Sequence, residues 1–228
     1  MEAIVLAGGF GTRLRDLVPD LPKPMAPVAG KPFLEILFRQ LSNKGFRRIV
    51  LSVGFMSETI IGYFGSRFMN LELDYVVETA PLGTGGAVRY ALENAADDHV
   101  FVMNGDTYLD LEADQVEALW RANGRPIIVG RAVPDTARYG RLLVEDGQVR
   151  GFAEKGTGGP GLINAGCYIF NRGQLDSFPL LQPFSLESDY FFNAVAETSF
   201  DLFVSSGHFI DIGVPEDYAR AQIDLASN

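Results

Sequence analysis

Apolar residues in the first half of the chain form short continuous runs that alternate with stretches of helical spacing. The continuous runs predict strands, and the helical spacing predicts helices between them. The predicted strands are 2–7, 48–53, 71–77 and 100–103, and the predicted helices are 33–44, 57–64 and about 86–94. Strands separated by helices are typical of a sheet covered on both faces, with ligands at the carboxyl ends of its strands. We therefore predict an α/β fold with a Rossmann-like, doubly wound, mixed and mainly parallel sheet.

The second half of the chain is less regular. Its pattern predicts helices at 113–122 and 186–197, strands at 127–131, 165–170 and 201–204, a hairpin of 142–144 with 149–152, and a closing helix after the segment 209–218. The tract 156–161, which reads Gly-Thr-Gly-Gly-Pro-Gly, predicts a mobile loop over a binding site.

Composition limits the class of protein. The 228 residues are 47% hydrophobic, enough for one domain with a substantial core. A net charge of −10 without a basic run argues against nucleic acid as a partner. The apolar stretches have strand length and no leader pattern opens the chain, so we expect a soluble cytoplasmic protein without a membrane partner. Cys167 is the only cysteine, which excludes an internal disulfide.

The first predicted strand opens into a glycine-rich loop with fixed positive charge nearby. Backbone N–H groups in such a loop can close around phosphate oxygens, and the spacing fits neither the dinucleotide nor the Walker pattern. An ordinary strand-to-helix turn with solvated charges is the alternative. We predict a nucleoside triphosphate site with Arg13 and Lys23 as its cations, and with nucleotide contacts from Leu6, Ala7, Gly8, Gly9, Gly11 and Thr12.

Two aspartates follow predicted strands far apart in the sequence. Asp106 comes after strand 100–103, and Asp211 stands between apolar residues and a turn. Nucleotide-bound Mg²⁺ commonly takes one or two carboxylates together with phosphate oxygens and water, although either aspartate alone could simply cap a turn. We predict that this pair holds Mg²⁺. Asp110 is a weaker third candidate, and we expect it to be the N-cap of helix 113–122.

A second glycine-rich turn follows strand 71–77. Its backbone could lie against a flat base while the Glu78 carboxylate accepts base N–H groups, or it could be only a loop before a helix. A carboxylate suits the two donors of guanine but also the single N–H of uracil, so the base stays open at this point. The predicted nucleotide contacts here are Glu78, Pro81, Gly83 and Thr84.

A further set of small and polar residues is placed around a sugar phosphate. Lys155 could hold a second phosphate or be a surface lysine at the end of a hairpin, and the others could serve turns and packing instead. The predicted set is Asn104, Gly105, Tyr139, Gly140, Glu154, Lys155, Asn164 and Gly166.

Taken together, these segments resemble the sugar-1-phosphate nucleotidyltransferases over nearly the whole chain. The opening loop with Lys23 is similar to the signature of that family, Asp106 and Asp211 to its metal ligands, and Lys155 to its sugar-phosphate lysine. Within the family, the motifs look most like the guanylyltransferases of D-glycero-α-D-manno-heptose 1-phosphate. The motifs that carry this likeness are Leu-Pro-Lys-Pro-Met-Ala-Pro, Pro-Leu-Gly-Thr-Gly-Gly-Ala, Asn-Gly-Asp-Thr-Tyr, Arg-Tyr-Gly, Gly-Leu-Ile-Asn-Ala-Gly and Phe-Ile-Asp-Ile-Gly-Val-Pro-Glu-Asp-Tyr.

The resemblance implies a reaction between GTP and a sugar 1-phosphate. Arg13, Lys23 and Asp106 would be catalytic, Mg²⁺ would be the cofactor, and residues of about 1–110 and 111–228 would form a nucleotide-binding and a sugar-phosphate-binding half of one domain. The implied product, GDP-heptose, is a precursor of bacterial surface polysaccharide. Guanylyl transfer to mannose 1-phosphate, uridylyl transfer to N-acetylmuramate 1-phosphate and a non-catalytic nucleotide-sugar sensor remain alternatives. A homo-oligomer is compatible with the sequence.

Overall fold

The computed structural model describes residues 1–9, 14, 18–153, 156 and 158–226. The first half contains β1 (Glu2–Ala7), β2 (Pro27–Val28), β3 (Lys31–Pro32), α1 (Phe33–Asn43), β4 (Arg48–Val53), α2 (Ser57–Phe64), β5 (Arg67–Phe68), β6 (Leu71–Val77), α3 (Gly83–Leu92), β7 (His99–Asn104) and β8 (Thr107–Leu109). The second half contains α4 (Ala113–Asn123), β9 (Ile127–Val133), β10 (Leu142–Glu145), β11 (Gln148–Phe152), β12 (Gly161–Asn171), α5 (Phe192–Glu197), β13 (Phe200–Ser205), β14 (Phe209–Asp211) and α6 (Pro215–Asp224). A short 3-10 helix spans Lys23–Met25, and a π-helical segment spans Leu186–Phe191.

A ten-stranded mixed sheet runs through both halves in the order β10-β11-β13-β9-β12-β7-β1-β4-β6-β5. Strands β5, β11 and β12 run opposite to the other seven. At its centre β7, β1, β4 and β6 pair in parallel, so their carboxyl ends meet at one edge. The predicted α/β fold with a mainly parallel sheet is therefore confirmed.

Alternate residues of the central strands enter two different cores, one on each face of the sheet. Ile4, Val50 and Val102 are aligned neighbours and pack with α3 and the aromatic side chains of the second half. Val5 and Leu51 point to the other face, where they pack with α1. Because both faces are covered, these strands are apolar almost throughout, which is the pattern that made them predictable.

Two predicted helices and one predicted N-cap differ from the structure. Helix α3 begins at Gly83, three residues before the predicted start, because a carbonyl of a distant segment accepts hydrogen bonds from its first turn. The predicted helix 186–197 is a π-helical segment followed by a short α-helix. Asp110 is not the N-cap of α4, since Glu112 holds that position and the Asp110 carboxylate lies 2.7 Å from the Lys44 ammonium.

Two features that the sequence pattern did not predict shape the site. Strand β8 pairs with β14 in a separate antiparallel ribbon outside the main sheet. Strand β12 is longer than predicted and has an irregular register between Asn164 and Tyr168, next to the end of β7. Within the described ranges, no helix has both the length and the apolar character needed to cross a membrane.

Candidate active site

A cavity of about 290 Å³ opens at the carboxyl ends of β1, β6 and β7. Every predicted nucleotide contact in the described part of the chain lines it, together with Lys23, Asn104 and Asp106; those contacts are Leu6, Ala7, Gly8, Gly9, Glu78, Pro81, Gly83 and Thr84. Gly11, Thr12 and Arg13 lie outside the described residues. Two glycine-rich segments that are about 70 positions apart in the sequence therefore line one cavity.

The ribbon of β8 and β14 brings the two predicted metal ligands together. Asp211 pairs in register with Thr107, the residue after Asp106, and the backbone N–H of Ile212 donates to the Asp106 carbonyl oxygen at 3.0 Å. The backbones of two residues that are 105 positions apart in the sequence are thus neighbours. Carboxylate oxygens are hard ligands of the type that Mg²⁺ prefers.

Lys23 stands at the same corner. Its ammonium forms an ion pair with the Asp106 carboxylate, and only 11% of the Lys23 side chain is exposed. Gly213 leaves the space for this arrangement: a Cβ there would lie 2.9 Å from Lys23 Nζ and 2.7 Å from Asp211 Oδ1. A partly buried ammonium is therefore fixed beside two carboxylates, and it can contact an anionic ligand in the cavity.

Gly105 connects this corner to the central sheet. Its backbone N–H donates to the Leu6 carbonyl oxygen at 2.8 Å, and a Cβ on Gly105 would lie 2.6 Å from that same oxygen. Only glycine allows the backbone before Asp106 to approach the end of β1 so closely. The structure thus gives Gly105 a part in positioning Asp106, and its predicted contact with the sugar phosphate stays a prediction.

Glu78 forms the wall opposite the ribbon. Its Oε1 atom accepts a hydrogen bond from the Ser52 hydroxyl at 2.9 Å, and its Oε2 atom accepts one from the Leu82 backbone N–H at 3.0 Å. An ionised carboxylate has about four acceptor sites, so each oxygen keeps capacity for another donor. The same carboxylate borders a second cavity of about 210 Å³, which also includes Gly54 and Phe55 in its lining.

The glycine-rich turn at the start of α3 is packed against a segment of the second half. The Phe184 carbonyl oxygen accepts hydrogen bonds from Gly85 N–H at 2.9 Å and Gly86 N–H at 3.3 Å, and the Phe184 ring occupies the space that a Cβ on Gly85 would need. The Thr84 hydroxyl donates to Glu187 and accepts from the Leu186 backbone N–H, each at 2.9 Å. The hydroxyl predicted to contact nucleotide is therefore engaged with the π-helical segment.

The predicted sugar-side residues near β7 and β12 meet at the irregularity of β12. Gly166 has a φ of +67°, and a Cβ there would overlap the Asn104 amide nitrogen. Asn164 stabilises the same bend, because its amide donates to the Tyr168 hydroxyl and its carbonyl oxygen accepts from Gly166 N–H. Irregular strand segments of this kind are enriched beside active sites, where they change the direction of side chains.

Tyr139 lies next to β14 of the ribbon. Its ring is 6.2 Å from that of Phe209, and the Arg138 guanidinium stacks on it while donating to the buried Asp217 carboxylate at 2.7 Å. Burial raises the pKa of the Tyr139 phenol, so this group stays protonated at neutral pH and remains a donor. The hydrogen bond to Asp217 raises the pKa of the Arg138 guanidinium.

The end of the glycine tract is attached to the Tyr139 segment. Arg141 donates to the Pro160 carbonyl oxygen at 3.1 Å, and the Asp135 carboxylate accepts from Gly159 N–H at 3.1 Å. A Cβ on Gly140 would meet only the Ala153 carbonyl oxygen, at 3.7 Å. Glu154 and Lys155 lie outside the described residues, and the mobility of the tract stays a prediction.

Sequence reasoning missed four residues that the structure places in supporting positions. Ser52 contacts Glu78, Glu187 contacts Thr84, Gly213 borders Lys23, and Asp217 holds Arg138. The single signal in the sequence was Ser52, a polar residue inside an otherwise apolar strand run. The other three contacts join segments too distant in the chain for any local pattern to predict them. No group of three or more His, Cys, Asp or Glu suited to a metal occurs in the ranges that the structure covers.

Comparisons with known proteins agree with this geometry. The family model described as nucleotidyl transferase matches residues 2–228. D-glycero-alpha-D-manno-heptose 1-phosphate guanylyltransferase of Aneurinibacillus thermoaerophilus is 38% identical, with 99% of this chain and 98% of the relative covered. The enzyme of that name from Campylobacter jejuni is 36% identical, with 96% and 97% covered.

A solved structure matches over almost its entire length. The crystal structure of HddC from Yersinia pseudotuberculosis complexed with GMP-PN superposes with a TM-score of 0.85 at 37% identity, covering 97% of each chain. Both the sequence and the fold thus match nucleotidyltransferases from end to end. The chain belongs to the nucleotidyl transferase family.

Proposed function

We propose that this protein transfers GMP from GTP to D-glycero-α-D-manno-heptose 1-phosphate, giving GDP-heptose and pyrophosphate for the synthesis of bacterial surface polysaccharide. The observation that carries the proposal is the cavity in which Lys23, Asp106 and Glu78 meet. It offers a cation for the phosphates, a carboxylate for a metal ion and a second, separate carboxylate for a base. The names of the two relatives support guanine and heptose as substrates.

The reaction is an in-line displacement at the α-phosphorus of GTP. An oxygen of the sugar phosphate forms the new P–O bond, and the bond from the α-phosphorus to the bridging oxygen of the β-phosphate breaks, so pyrophosphate leaves with that electron pair. The attacking oxygen is already ionised at neutral pH, and no general base is needed. The protein must instead hold two anions in line and stabilise the charge of the transferring group.

Three cations of this chain would share that task. Lys23, fixed beside Asp106, contacts the phosphates from the side of the ribbon. Arg13 acts on the triphosphate and the leaving pyrophosphate, and Lys155 anchors the sugar phosphate; both roles are predictions from sequence. Loss of one such group commonly costs roughly 3–4 kcal/mol of transition-state stabilisation. We expect Arg13→Ala to lower turnover by a factor of hundreds, measured as pyrophosphate release.

The two aspartates fit a divalent cation. Asp106 directly precedes β8 and Asp211 ends the strand paired with it, so both can supply oxygen ligands from neighbouring backbone segments and would leave the remaining ligands to phosphate and water. Mg²⁺ held there would add positive charge that offsets the repulsion between the two phosphate groups. Lys23 is the only cation of the described chain that forms an ion pair with Asp106, and it can move to a phosphate oxygen when the carboxylate binds metal.

The sugar side consists of groups that donate or accept hydrogen bonds near the ribbon. The protonated Tyr139 phenol and the Asn104 amide have the chemistry to bind sugar hydroxyls, and Gly166 leaves the space beside Asn104. Gly105, Gly140, Glu154 and Asn164 complete the proposed sugar-phosphate set. Selection between heptose and other sugars would come from such hydroxyl contacts, because a site built for a hydrogen bond rejects a ligand that lacks it.

The test is pyrophosphate release with Mg²⁺ and each of GTP, UTP, ATP, CTP and dTTP, crossed with heptose, mannose and N-acetylmuramate 1-phosphates. We expect release with GTP and heptose 1-phosphate. Release with mannose 1-phosphate alone, or with UTP and N-acetylmuramate 1-phosphate alone, would replace the substrates and keep the mechanism. Nucleotide binding without any release would overturn the catalytic proposal and favour a sensor.

A further inference from the structure

Ser52 is a buried polar residue in the centre of the main sheet. It lies in β4, aligned with Leu6 of β1 on one side and Val76 of β6 on the other, and its exposed fraction is 0%. Burying a hydroxyl without a partner is costly, so such a group normally has one. Its partner here is the Glu78 carboxylate, through the 2.9 Å hydrogen bond to Oε1.

The Glu78 carboxylate accepts a hydrogen bond at each oxygen and packs closely against Gly8. Ser52 donates to Oε1, the Leu82 backbone N–H donates to Oε2, and the Cα of Gly8 leaves just enough room for Oε1, because a Cβ on Gly8 would overlap it. The backbone N–H of Glu78 donates to the Val53 carbonyl oxygen at 2.7 Å, which extends the pairing of β4 and β6 by one residue. The plane of the carboxylate is therefore fixed by β4 on one side and by the turn that leads into α3 on the other.

We propose that Ser52 is a positioning residue that orients the Glu78 carboxylate so that both of its oxygens face the guanine base; this inference rests on the proposed function. Guanine presents two donors side by side, N1–H and the 2-amino group, and a carboxylate can accept both only when its plane is correctly rotated. Hypoxanthine presents N1–H alone, and a single hydrogen bond tolerates rotation. The Ser52 hydroxyl thus contributes to discrimination between the two bases.

The experiment compares GTP with ITP, which lacks the 2-amino group. Ser52→Ala removes only the hydroxyl, and Ser42→Ala is the matched control, because Ser42 is a buried serine of α1 whose hydroxyl oxygen has no hydrogen-bond partner in the described structure. Two quantities are measured for each protein: equilibrium affinity for each nucleotide, and kcat/KM for pyrophosphate release with heptose 1-phosphate. Thermal unfolding reports whether each variant is folded.

We expect the wild-type protein and Ser42→Ala to prefer GTP to ITP by the same factor. In Ser52→Ala that preference should fall by about five- to ten-fold, mainly through weaker use of GTP. Ser52→Cys, which has nearly the volume of serine but a weak donor, should lower the preference as well and serves if the alanine variant does not fold.

An unchanged preference in a folded Ser52 variant would overturn the proposal, and so would a wild-type protein that binds GTP and ITP equally. A wild-type protein that binds GTP more tightly than ITP yet releases no pyrophosphate would contradict the proposed function instead. In that case the ratio of affinities still tests Ser52. A purely structural role of Ser52 would lower the unfolding temperature and leave both ratios unchanged.

Discussion

Two walls face each other across the cavity, and they are built in different ways. The strand-end wall, formed by residues 6–9 and 78–87 with residues 52–54 packed against them, takes its shape from parallel strands β1, β4 and β6 and from the turns that directly follow them. The ribbon wall lines the cavity through Asn104 and Asp106, and the supporting segments 107–111, 138–141 and 205–213 are joined by one short ribbon and by contacts about 70 to 105 positions apart in the sequence. Geometry in the first wall follows from the central sheet, whereas in the second it follows from individual contacts. Single substitutions should therefore affect the two walls differently.

The largest effect is expected at Asp211, where the ribbon wall would hold the metal. Asp211→Asn keeps the size of the side chain and an oxygen that can accept from Gly213 N–H, now 2.7 Å from Asp211 Oδ1. It removes one of the two negative charges. We expect kcat to fall by about 10²–10³-fold, and the Mg²⁺ concentration for half-maximal activity to rise, measured by pyrophosphate release over a magnesium titration.

Asp110→Asn is the control for this change. Asp110 is four residues after Asp106 but pairs with Lys44 of the segment after α1, at 2.7 Å. Removing its charge should leave turnover and magnesium dependence within about two-fold of the wild-type values, since surface ion pairs contribute little. A loss of activity equal to that of Asp211→Asn would show that any acidic residue near the ribbon matters and would remove Asp211 as a specific ligand.

The next effect concerns the junction of the two walls, at Gly105. In Gly105→Ala the new Cβ would lie 2.6 Å from the Leu6 carbonyl oxygen, so either β1 or the segment carrying Asp106 must shift. We expect a loss of about 1–3 kcal/mol in the free energy of unfolding. Turnover should fall by more than about ten-fold, because Asp106 moves with its neighbour.

Gly62→Ala is the comparison for Gly105→Ala, because we expect it to raise the stability of the fold rather than lower it. Gly62 lies inside helix α2, and a Cβ there would meet nothing within 4 Å. Alanine in a helix interior should raise the free energy of unfolding by about 0.5–1 kcal/mol and leave activity unchanged. Chemical denaturation of both variants measures the two stabilities. Equal changes at the two positions would mean that the close approach of Gly105 to Leu6 has no energetic consequence.

The contrast between the walls also explains what the sequence predicted. Strands such as Glu2–Ala7 and Arg48–Val53 were predicted to the residue, because burial on both faces makes them continuous apolar runs bounded by turns. The residues of the strand-end wall could be predicted from these strands, because most of them directly follow a strand end in the sequence.

For the ribbon wall, the sequence predicted individual residues but not the strand pairing that brings them together. Asp106 and Asp211 were each ambiguous in sequence, and strand β8, which joins them, has three residues, too few for a periodic signal. The start of α3 at Gly83 was missed for the same reason, because the Phe184 carbonyl that caps it is 101 positions away. Local patterns do not contain such contacts.

A smaller effect on activity is expected when the strand-end wall loses its contact with the π-helical segment. Thr84→Val is close to isosteric but removes both hydrogen bonds of the hydroxyl, to Glu187 and from Leu186 N–H. We expect KM for GTP to rise by about three- to ten-fold with kcat nearly unchanged, and stability to fall by about 1–2 kcal/mol. Thr84→Ser keeps the hydroxyl and should behave as the wild-type protein does in steady-state kinetics. A wild-type KM in the valine variant would mean that the sheet alone holds this wall.

The smallest effect is a pH dependence of stability at the base of the ribbon wall. Burial of Glu112 would raise the pKa of its carboxyl, but hydrogen bonds from Ser205 and Ser206 outweigh this and lower it to about 2. A carboxyl whose pKa is lower in the folded than in the unfolded protein stabilises the fold above its unfolded pKa of about 4.5, and this contribution is lost as the pH falls toward 2.

Glu112→Gln removes that titration. At pH 7 the variant should be less stable by about 1–2 kcal/mol, and the difference from the wild-type protein should shrink between pH 4.5 and pH 2, measured by chemical denaturation at each pH. Glu145→Gln is the control, because the exposed Glu145 carboxylate has its nearest ion-pair partner, Arg150, at 3.9 Å. If the stability difference of Glu112→Gln were constant with pH, the contacts to Ser205 and Ser206 would contribute through packing rather than charge. The ribbon wall would then depend on these long-range contacts for its shape rather than for their charge.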